Sequence, residues 1–415
     1  MNRKINLIIF VEGSFLPAFD GYSLTMSNIC RILGERKKIH LTLIHCYRGW
    51  SDIKMLRRQN YRIVLVSPRT YYHEAKTIMG LLKKEKPDII QMQDAELILS
   101  QGIKLKDYYN CRLIFHPHYI AYNVAKKLHI KKSAKLIVAQ KEKEACKHVD
   151  AVFCFTQHDK NYFIKNYHCP KNKIILVRPA IYDGVARFKY PPKSKRNIIF
   201  IGNLFFQANL DALLILLRKI YPEIKNIVER IYVVGGKPRD VLSSYKKDGK
   251  IKMLGRVKDL YKYIHDSNLA ILPILEASGI RTKILTCFVA GTPVIGTKAA
   301  FEGLEKDKLI NFLVGNEQDL IKKARKILLD WHFQKKLSKR QREYFNKYFS
   351  SISLQKDYLR KYEKVLSMGQ SKNNVPVSIK KFKFSEPAWL QEFKLKKKVK
   401  YFYKKLKLPI VINSN

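Results

Sequence analysis

Acidic residues are scarce in this chain, and their scarcity is the first constraint on what the protein can bind. Only 34 Asp and Glu residues stand against 81 Lys and Arg residues, which gives a formal net charge of +47 over 415 residues. A field of this sign attracts phosphorylated ligands, anionic lipid surfaces or nucleic acid, but it does not specify a fold. A composition rich in Lys, Ile, Asn and Tyr is also typical of an AT-rich genome, which accounts for part of the basicity.

Clusters of metal ligands and long apolar runs are also missing. The seven cysteines are scattered and odd in number, and no C-x-x-C pair or Cys/His cluster occurs. We therefore expect no metal site, and reduced thiols in the core of a cytosolic protein. No stretch approaches about 18–20 consecutive apolar residues, so no transmembrane helix is predicted. The apolar run at 5–11 is too short and too polar for a signal peptide.

Short apolar segments that alternate with helical patterns occupy residues 1–185. The segments are continuously apolar rather than alternating, which indicates strands covered on both faces and hence a parallel sheet. They lie at 5–11, 41–46, 62–66, 87–92, 112–116, 151–155 and 173–177. Helical patterns between them, such as 23–33 and 136–148, complete a doubly wound α/β domain.

A second domain of the same class follows a linker at 186–195 that is rich in Pro and Lys. Its strands are predicted from apolar segments at 196–203, 229–238, 251–257, 268–274 and 309–315. We place this domain at 196–345 and expect helices at 346–370 to pack back on the first domain. The predicted fold class is therefore α/β, with two doubly wound Rossmann-like domains facing a cleft and a basic C-terminal tail.

The stretch from Ile271 to Leu304 organises the second domain. It predicts a strand, a small-residue loop, a helix and a strand, with Ser278 as the helix N-cap and Gly279 allowing backbone to approach a phosphate. Arg281 and Lys283 place cations in the first helical turn, where they are unfavourable by roughly 0.3–1 kcal/mol unless an anion offsets them. The pattern indicates a phosphate site at this helix N-terminus. An ordinary surface loop with solvated cations has the same composition.

The loops that follow the strands of the first domain carry further candidate residues. Gly21 and Tyr22 stand at the start of the first helix, Asp94 follows the fourth strand, and His118 follows the fifth. The carboxyl ends of parallel strands meet at one edge of the sheet, where ligands bind in open α/β folds. A histidine at that edge either binds a phosphate or sugar hydroxyl or caps a loop.

The tail at 371–415 differs in composition from the rest of the chain. It contains twelve Lys, two Glu and no Arg or Asp, interleaved with aromatic residues. A helix over 387–408 would place Leu395, Val399, Phe402 and Leu406 on one stripe, with lysines covering most of the remainder. Such a helix fits the surface of an anionic bilayer. A disordered solubilising tail and a nucleic-acid arm are the alternatives, and nucleic acid is the weaker of the two.

Five ordered motifs over about 110 residues resemble the retaining glycosyltransferases with the GT-B fold, of the large glycosyltransferase family 4 (glycosyl transferases group 1). They are FIGNLFFQANLDALLILLRKIYPEI, VVGGKP (233–238), GRVKDL (255–260), ASGIRTKILTCFVAGTPVI and Glu302-Gly303-Leu304. The first domain resembles the family more loosely, through its opening glycine loop, Asp94-Ala95-Glu96 and His118. The tail at 371–415 lies outside the resemblance.

The resemblance implies transfer of a sugar from a nucleotide-diphosphate sugar, a co-substrate, to a lipid-linked or polysaccharide acceptor, with no metal and no bound cofactor. It implies catalytic roles for His118, Asp94 and Glu302. The implied donor-binding residues are Gly202, Asn203, Ser278, Gly279, Ile280, Arg281, Lys283 and Thr286. The acceptor is implied near Gly21 and Tyr22. With the tail, this predicts a cytoplasmic enzyme, peripheral at the inner face of the membrane.

One departure from the family pattern bears on activity. The family's paired glutamates, E-x7-E, align with Ser278 and Thr286, and neither residue is acidic. The second glutamate contacts the nucleotide ribose in the family, whereas Thr286 offers one hydroxyl. The alternative function is therefore a catalytically silent relative that binds nucleotide or glycan as a partner or scaffold.

Overall fold

Two compact units make up the fold. The computed structural model describes residues 3–13, 15–16, 21–35, 37–48, 51–122, 131–181, 187–236, 240–275, 280–370 and 409–413. The first unit comprises Met1–Arg178 and Gln355–Asn415, and the second comprises Pro179–Leu354. Residues 187–195, which were predicted as a linker, belong to the second unit, where the Lys189 N–H donates to the Ala290 carbonyl (2.9 Å) and Asn268 Nδ2 donates to that of Pro192 (2.8 Å).

The first unit is built on an eight-stranded sheet in the order β13-β3-β2-β1-β4-β5-β6-β7, in which β1 to β7 are parallel. The strands are β1 Ile5–Val11, β2 Ile39–Cys46, β3 Arg62–Val66, β4 Ile89–Met92, β5 Arg112–Phe115, β6 Ala151–Cys154, β7 Ile174–Leu176 and β13 Ile410–Ile412. Its helices are α1 Gly21–Gly34, α2 Ile53–Leu56, α3 Pro68–His73, α4 Ala75–Leu81, α5 Ala95–Leu97, α6 Ile103–Tyr109, α7 Lys132–His148 and α8 Gln157–Tyr167. A π-helical turn at Ile98–Gly102 joins α5 to α6.

The second unit is built on a five-stranded parallel sheet in the order β10-β9-β8-β11-β12. The strands are β8 Asn197–Ile201, β9 Arg230–Val234, β10 Ile251–Gly255, β11 Leu269–Leu272 and β12 Val294–Gly296. Its helices are α9 Gln207–Ile215, α10 Tyr221–Ile224, α11 Leu260–His265, α12 Thr282–Ala290, α13 Lys308–Leu313, α14 Glu317–Leu329 and α15 Trp331–Phe349. The last long helix, α16 Ser351–Ser367, begins here and continues into the first unit.

The predicted pair of doubly wound α/β domains is confirmed. Most strands are buried along nearly their whole length, as their continuous apolar sequences indicate, whereas the edge strands β10 and β13 are partly exposed. The strand predicted at 309–315 is wrong, because residues 309–313 lie in helix α13 instead. Asp307 caps that helix by accepting from the Ile310 N–H (2.9 Å), and Leu309, Ile310 and Leu313 are buried at helical spacing. Only Val314 bridges to the sheet, through Gly296.

All seven cysteines are buried, as expected from the sequence, and none of them forms a disulfide bond. Among the described helices, none combines the length and apolarity needed to cross a membrane. Within the same described ranges, no group of three or more His, Cys, Asp or Glu side chains could hold a metal ion.

The chain terminus adds a strand that the sequence analysis missed. β13 pairs antiparallel with the edge strand β3, with Val411 opposite Val64 and Ile412 opposite Ile63. Ile412 is 8% exposed and Val411 is 41% exposed, so the strand presents one face to the core and the other to solvent. An edge strand is a template for aggregation, and β13 covers β3 and leaves a shorter, three-residue edge in its place. The predicted basic helix at 387–408 lies outside the described residues.

Replacing Ile412 by Asp is expected to lower the stability of the first unit by about 2–4 kcal/mol, since the change removes a buried side chain and buries a carboxylate. Val411→Asp is the matched control, because the neighbouring side chain points to solvent. Thermal unfolding of both full-length variants measures the difference. Equal melting temperatures would show that β13 does not contribute to the stability of the unit.

Candidate functional site

Each sheet has a point where the strand order reverses, and ligands bind beside such points in open α/β sheets. In the second unit that point lies between β8 and β11, which pair through Ile199 and Ala270. The loop after β8 carries Gly202 and Asn203, and the loop after β11 leads to α12. The donor residues predicted in these two loops therefore share one sheet edge.

A hydrogen-bonded chain of two side chains and one backbone carbonyl joins helix α12 to the loop after β8. Lys283 Nζ donates to Asn209 Oδ1 (2.9 Å), and Asn209 Nδ2 donates to the Asn203 carbonyl (2.9 Å). The Lys283 ammonium also lies 5.8 Å from the centre of the Phe200 ring. Asn209 is thus a site residue that the sequence analysis did not name, although it stands in the quoted helix motif.

Burial has a strong effect on the charge of Lys283. Desolvation, with a smaller contribution from the charge on Arg281, lowers the pKa of the Lys283 ammonium to about 7. Among the described residues, no acidic side chain pairs with it in a salt bridge. A diphosphate beside Nζ would supply the missing negative charge and restore the protonated form.

The glycine turn after β9 closes on the same loop. Gly235 has φ +112°, and a Cβ at this position would lie 2.6 Å from the Gly202 carbonyl oxygen. Only a residue without a side chain allows this approach, since L-residues rarely adopt that conformation. The VVGGKP motif therefore supports the loop that carries Asn203.

Gly235→Ala is expected to cost about 1–3 kcal/mol of stability and to weaken binding of the nucleotide donor predicted from the sequence, because the loop at Gly202 must move. Gly249→Ala is the control, since a Cβ there meets no atom within 4 Å. Denaturant unfolding and nucleotide titration of both variants check this. Equal stability and equal nucleotide affinity of the two variants would show that the turn at Gly235 does not support the site.

Other predicted donor residues are placed as follows. Ser278 and Gly279 lie outside the described residues, and Ile280 is half-buried. The prediction that Ser278 caps the helix is wrong, because α12 begins at Thr282 with Arg281 in the N-cap position and no side-chain cap. Thr286 is buried, and its hydroxyl donates to the Thr282 carbonyl (2.9 Å). Glu302 is half-buried in a turn after β12.

In the first unit, the structure brings Tyr22 and His118 together. Their rings meet edge to face with centroids 4.7 Å apart. Gly21 begins α1, so Tyr22 lies in the first turn of that helix. Phe155 also packs edge to face on His118, at 5.1 Å. The acceptor-side residues predicted from the sequence therefore form one group.

His118 is neutral and has an unused ring nitrogen. Burial lowers its pKa to about 3. Its Nε2 atom is buried and has no hydrogen-bond partner among the described residues, and the same holds for both amide atoms of Gln93 after β4. Buried polar atoms are rarely left unpaired, so these atoms indicate a place for a polar ligand.

Asp94 lies beside a charged pair that the sequence analysis missed. Its carboxylate caps α5, with Oδ1 accepting from the N–H groups of Glu96 (2.7 Å) and Leu97 (3.2 Å). After β1, Glu12 accepts from Arg48 Nη2 (2.6 Å) and from the Tyr72 hydroxyl. Desolvation raises the pKa of Glu12, opposed by the charge of Arg48 and reinforced by that of Asp94. The sequence did contain a signal for Glu12, because a charged residue directly after an apolar strand is a candidate site residue.

Comparisons with known proteins agree with this arrangement of sheets and loops. A glycosyl transferases group 1 model matches residues 195–330, and a Glycosyltransferase Family 4 model matches 48–183. A curated relative, an uncharacterized 44.6 kDa protein in a cps region of Klebsiella pneumoniae, is 26% identical over 177 residues. That match covers 40% of this chain and spans about half (46%) of the length of the relative.

Solved structures share the fold at low identity. A glycosyltransferase from Rickettsia africae matches with TM-score 0.65 and 15% identity, covering 88% of this chain and 100% of that one. HepE from Anabaena in complex with UDP-glucose gives 0.62 and 12%, covering 86% and 99%. WaaG, a glycosyltransferase involved in lipopolysaccharide biosynthesis, gives 0.60 and 15%, covering 88% and 100%.

Two Rossmann-like units with ligand-binding loops at the carboxyl ends of their strands define the GT-B class of glycosyltransferases. Both family models match, one on each unit. The chain therefore belongs to the family 4-like glycosyltransferases of the GT-B fold.

Proposed function

We propose that this glycosyltransferase moves a sugar from a nucleotide-diphosphate sugar to a lipid-linked or polysaccharide acceptor, with retention of anomeric configuration. The observation that carries the proposal is the Lys283–Asn209–Asn203 chain at the strand-order reversal of the second sheet. It supplies a desolvated ammonium where the diphosphate would lie. The UDP-glucose bound to HepE, which shares the fold, makes UDP-sugars the first donors to test.

Lys283 would act on the leaving group. As the glycosidic bond to the phosphate breaks, negative charge builds on the diphosphate while the sugar becomes an oxocarbenium-like cation. A preorganised cation at the diphosphate stabilises this transition state more than the ground state, which is the form of stabilisation that accelerates a reaction. Asn209 fixes the ammonium, while Gly202 and Asn203 would line the donor.

The first unit would present the acceptor. The neutral His118 imidazole can accept or donate one hydrogen bond at Nε2, which suits a sugar hydroxyl. Tyr22 and Gly21 would flank the acceptor, and Asp94 would accept from a hydroxyl group. Glu302 of the second unit would accept from a hydroxyl of the donor sugar or ribose.

A donor panel tests the proposal. UDP-, GDP- and ADP-sugars are incubated with the full-length protein, and release of nucleoside diphosphate is followed with and without lipid-linked and polysaccharide acceptors. NMR of the product gives its anomeric configuration. We expect turnover with one nucleotide class and a retained anomer. An inverted anomer would contradict the mechanism, and nucleotide binding without turnover would favour the second candidate.

That second candidate is a catalytically silent protein that binds nucleotide or glycan as a partner or scaffold. Its support is Thr286, which stands where the family has a glutamate and whose hydroxyl already donates within α12. The expected signature is nucleotide binding in the absence of any transfer. Recovery of sugar transfer in Thr286→Glu would show that the threonine at this position causes the inactivity of the wild type.

We further propose cytoplasmic localisation, peripheral at the inner face of the membrane, through the basic segment 387–408. Twelve Lys against two Glu in the last 45 residues provide attraction of about 1 kcal/mol per basic residue near an anionic surface. Full-length protein is compared with a variant carrying Gln at the lysines from Lys394 to Lys407, which leaves β13 intact. Equal co-sedimentation of the two proteins with anionic vesicles would show that these lysines do not attach the protein to a membrane surface. Steeply salt-dependent binding to duplex nucleic acid would favour a nucleic-acid arm instead.

A further inference from the structure

Two consecutive residues of α7 reach the two loops of the first unit that carry candidate catalytic residues. Glu142 is 3% exposed, and its Oε1 accepts from the Ala121 N–H at 3.0 Å. The Tyr122 N–H also donates to this carboxylate. These amides lie three and four residues beyond His118, in the segment after β5, where residues 121 and 122 are helical. The carboxylate therefore holds the far end of the segment that begins with His118.

Lys141 makes the corresponding contact with the other loop. Its Nζ donates to Glu96 Oε2 at 3.0 Å, with side-chain exposures of 11% and 13%. Glu96 follows Asp94 by two residues, and Asp94 caps the helix in which Glu96 lies. One turn of α7 thus contacts the His118 loop and the Asp94 loop, because consecutive helical side chains point in directions about 100° apart.

The Glu142 carboxylate is a buried charge that accepts from three donors. Burial raises its pKa to about 7, although the Tyr167 hydroxyl donates to Oε2 at 2.6 Å and the amides of Ala121 and Tyr122 donate as well. An apolar residue at this position would leave those three donors without their acceptor. Buried charges of this kind are concentrated at functional sites.

We propose that Lys141 and Glu142 are positioning residues that set the His118 loop and the Asp94 loop in fixed register for sugar transfer. The inference rests on the proposed function only for its catalytic consequence. The structural part, that α7 immobilises both loops, can be measured separately.

Amide hydrogen exchange of the full-length protein tests the structural part. Glu142→Leu removes every acceptor, and Glu142→Gln keeps one carbonyl oxygen. We expect exchange of the segment at 119–122 to rise about 10-fold or more in Glu142→Leu, which corresponds to loss of a hydrogen bond to a charged acceptor. A smaller rise is expected in Glu142→Gln. Lys141→Met should accelerate exchange at 95–98 and leave 119–122 unchanged.

The matched control is Glu144→Gln on the same helix. Its carboxylate pairs with Lys147 (2.8 Å) and His148 (3.3 Å) within α7 and, among the described residues, makes no hydrogen bond or ion pair with either loop. We expect wild-type exchange in both loops of this variant. Wild-type exchange at 119–122 in Glu142→Leu, or equal acceleration in Glu144→Gln, would overturn the inference.

Steady-state kinetics test the catalytic part. Loss of loop register should lower kcat about 10-fold in Glu142→Leu while donor KM changes less than about twofold, because misplacement affects the reacting groups rather than uniform donor binding. Glu142→Gln should have a kcat between those of Glu142→Leu and the wild type. Because glutamine keeps one acceptor, this variant tests the positioning role even if the leucine variant folds poorly. Accelerated exchange with wild-type kcat would overturn the positioning role. Absence of turnover in the wild type would instead refute the proposed function, and the exchange result would still decide whether α7 holds the loops.

Discussion

Lys283→Met should reduce kcat/KM for the nucleotide sugar by about 100- to 1,000-fold, equivalent to about 2.7–4 kcal/mol of transition-state stabilisation. Methionine keeps most of the side-chain volume beside Phe200 and removes the charge, so the change isolates the electrostatic contribution. Asn209 would lose its donor, but its own bond to the Asn203 carbonyl would remain. The largest part of the loss should appear in kcat, because charge develops on the diphosphate as the glycosidic bond breaks.

The matched control is Lys322→Met, at an exposed lysine on α14 of the same unit. It removes a positive charge from the overall field of the protein but leaves the site intact. We expect kcat/KM within about twofold of the wild type, since surface charges far from a ligand are screened. Equal losses in both variants would assign the effect of Lys283 to net charge rather than to a diphosphate contact.

The second large effect is expected at His118. His118→Ala should lower kcat about 10- to 100-fold with little change in nucleotide affinity, since it removes one hydrogen bond to a reacting sugar or acceptor. Because burial holds its pKa at about 3, the imidazole stays neutral from pH 5 to 8. His118 should therefore contribute no inflection near pH 6.5 to the pH–rate profile of the wild type. The profiles of the wild type and His118→Ala should have the same shape from pH 5 to 8.

His158→Ala is the control for this prediction. That imidazole is 53% exposed on α8 and lies outside the site. For each variant, initial rates at saturating donor give kcat, and nucleotide titrations give the dissociation constant of the nucleotide. A His118→Ala enzyme with wild-type kcat, or with a strongly weakened donor KM alone, would contradict an acceptor-side role.

The sequence predicted the fold well because the strands are short, buried on both faces and bounded by polar loops. β1 and β3 occupy the predicted ranges, 5–11 and 62–66. Residues 309–315 show the limit of that reasoning, because a short apolar run fits a buried strand and an amphipathic helix equally well. The capping bond of Asp307 decides for the helix. β13 has only three residues, and its partner is more than 340 positions away, so no local pattern could reveal it.

The candidate site was less accessible to sequence reasoning. Tyr22 and His118 were named from strand-end position, and the structure brings their rings together. Asn209 and Arg48 were not named, because their importance depends on which loops become neighbours once the sheets form. Arg48 is 2% exposed beside Glu12, a pairing that spacing alone cannot predict. The N-cap position of α12 also differs from the prediction, since the helix begins at Thr282, with Arg281 rather than Ser278 in the N-cap position.

The central claim is that the desolvated Lys283 ammonium binds the diphosphate of the donor. Proton uptake on binding of UDP, measured by calorimetry at about pH 8 in buffers of different ionisation enthalpy, tests it most directly. With a pKa of about 7, Lys283 is mostly neutral in the free protein at that pH. An adjacent diphosphate raises the pKa, so the wild type should take up close to one proton per UDP bound and Lys283→Met should take up none. UDP binding with no proton uptake by the wild type, or with equal uptake by Lys283→Met, would contradict the account.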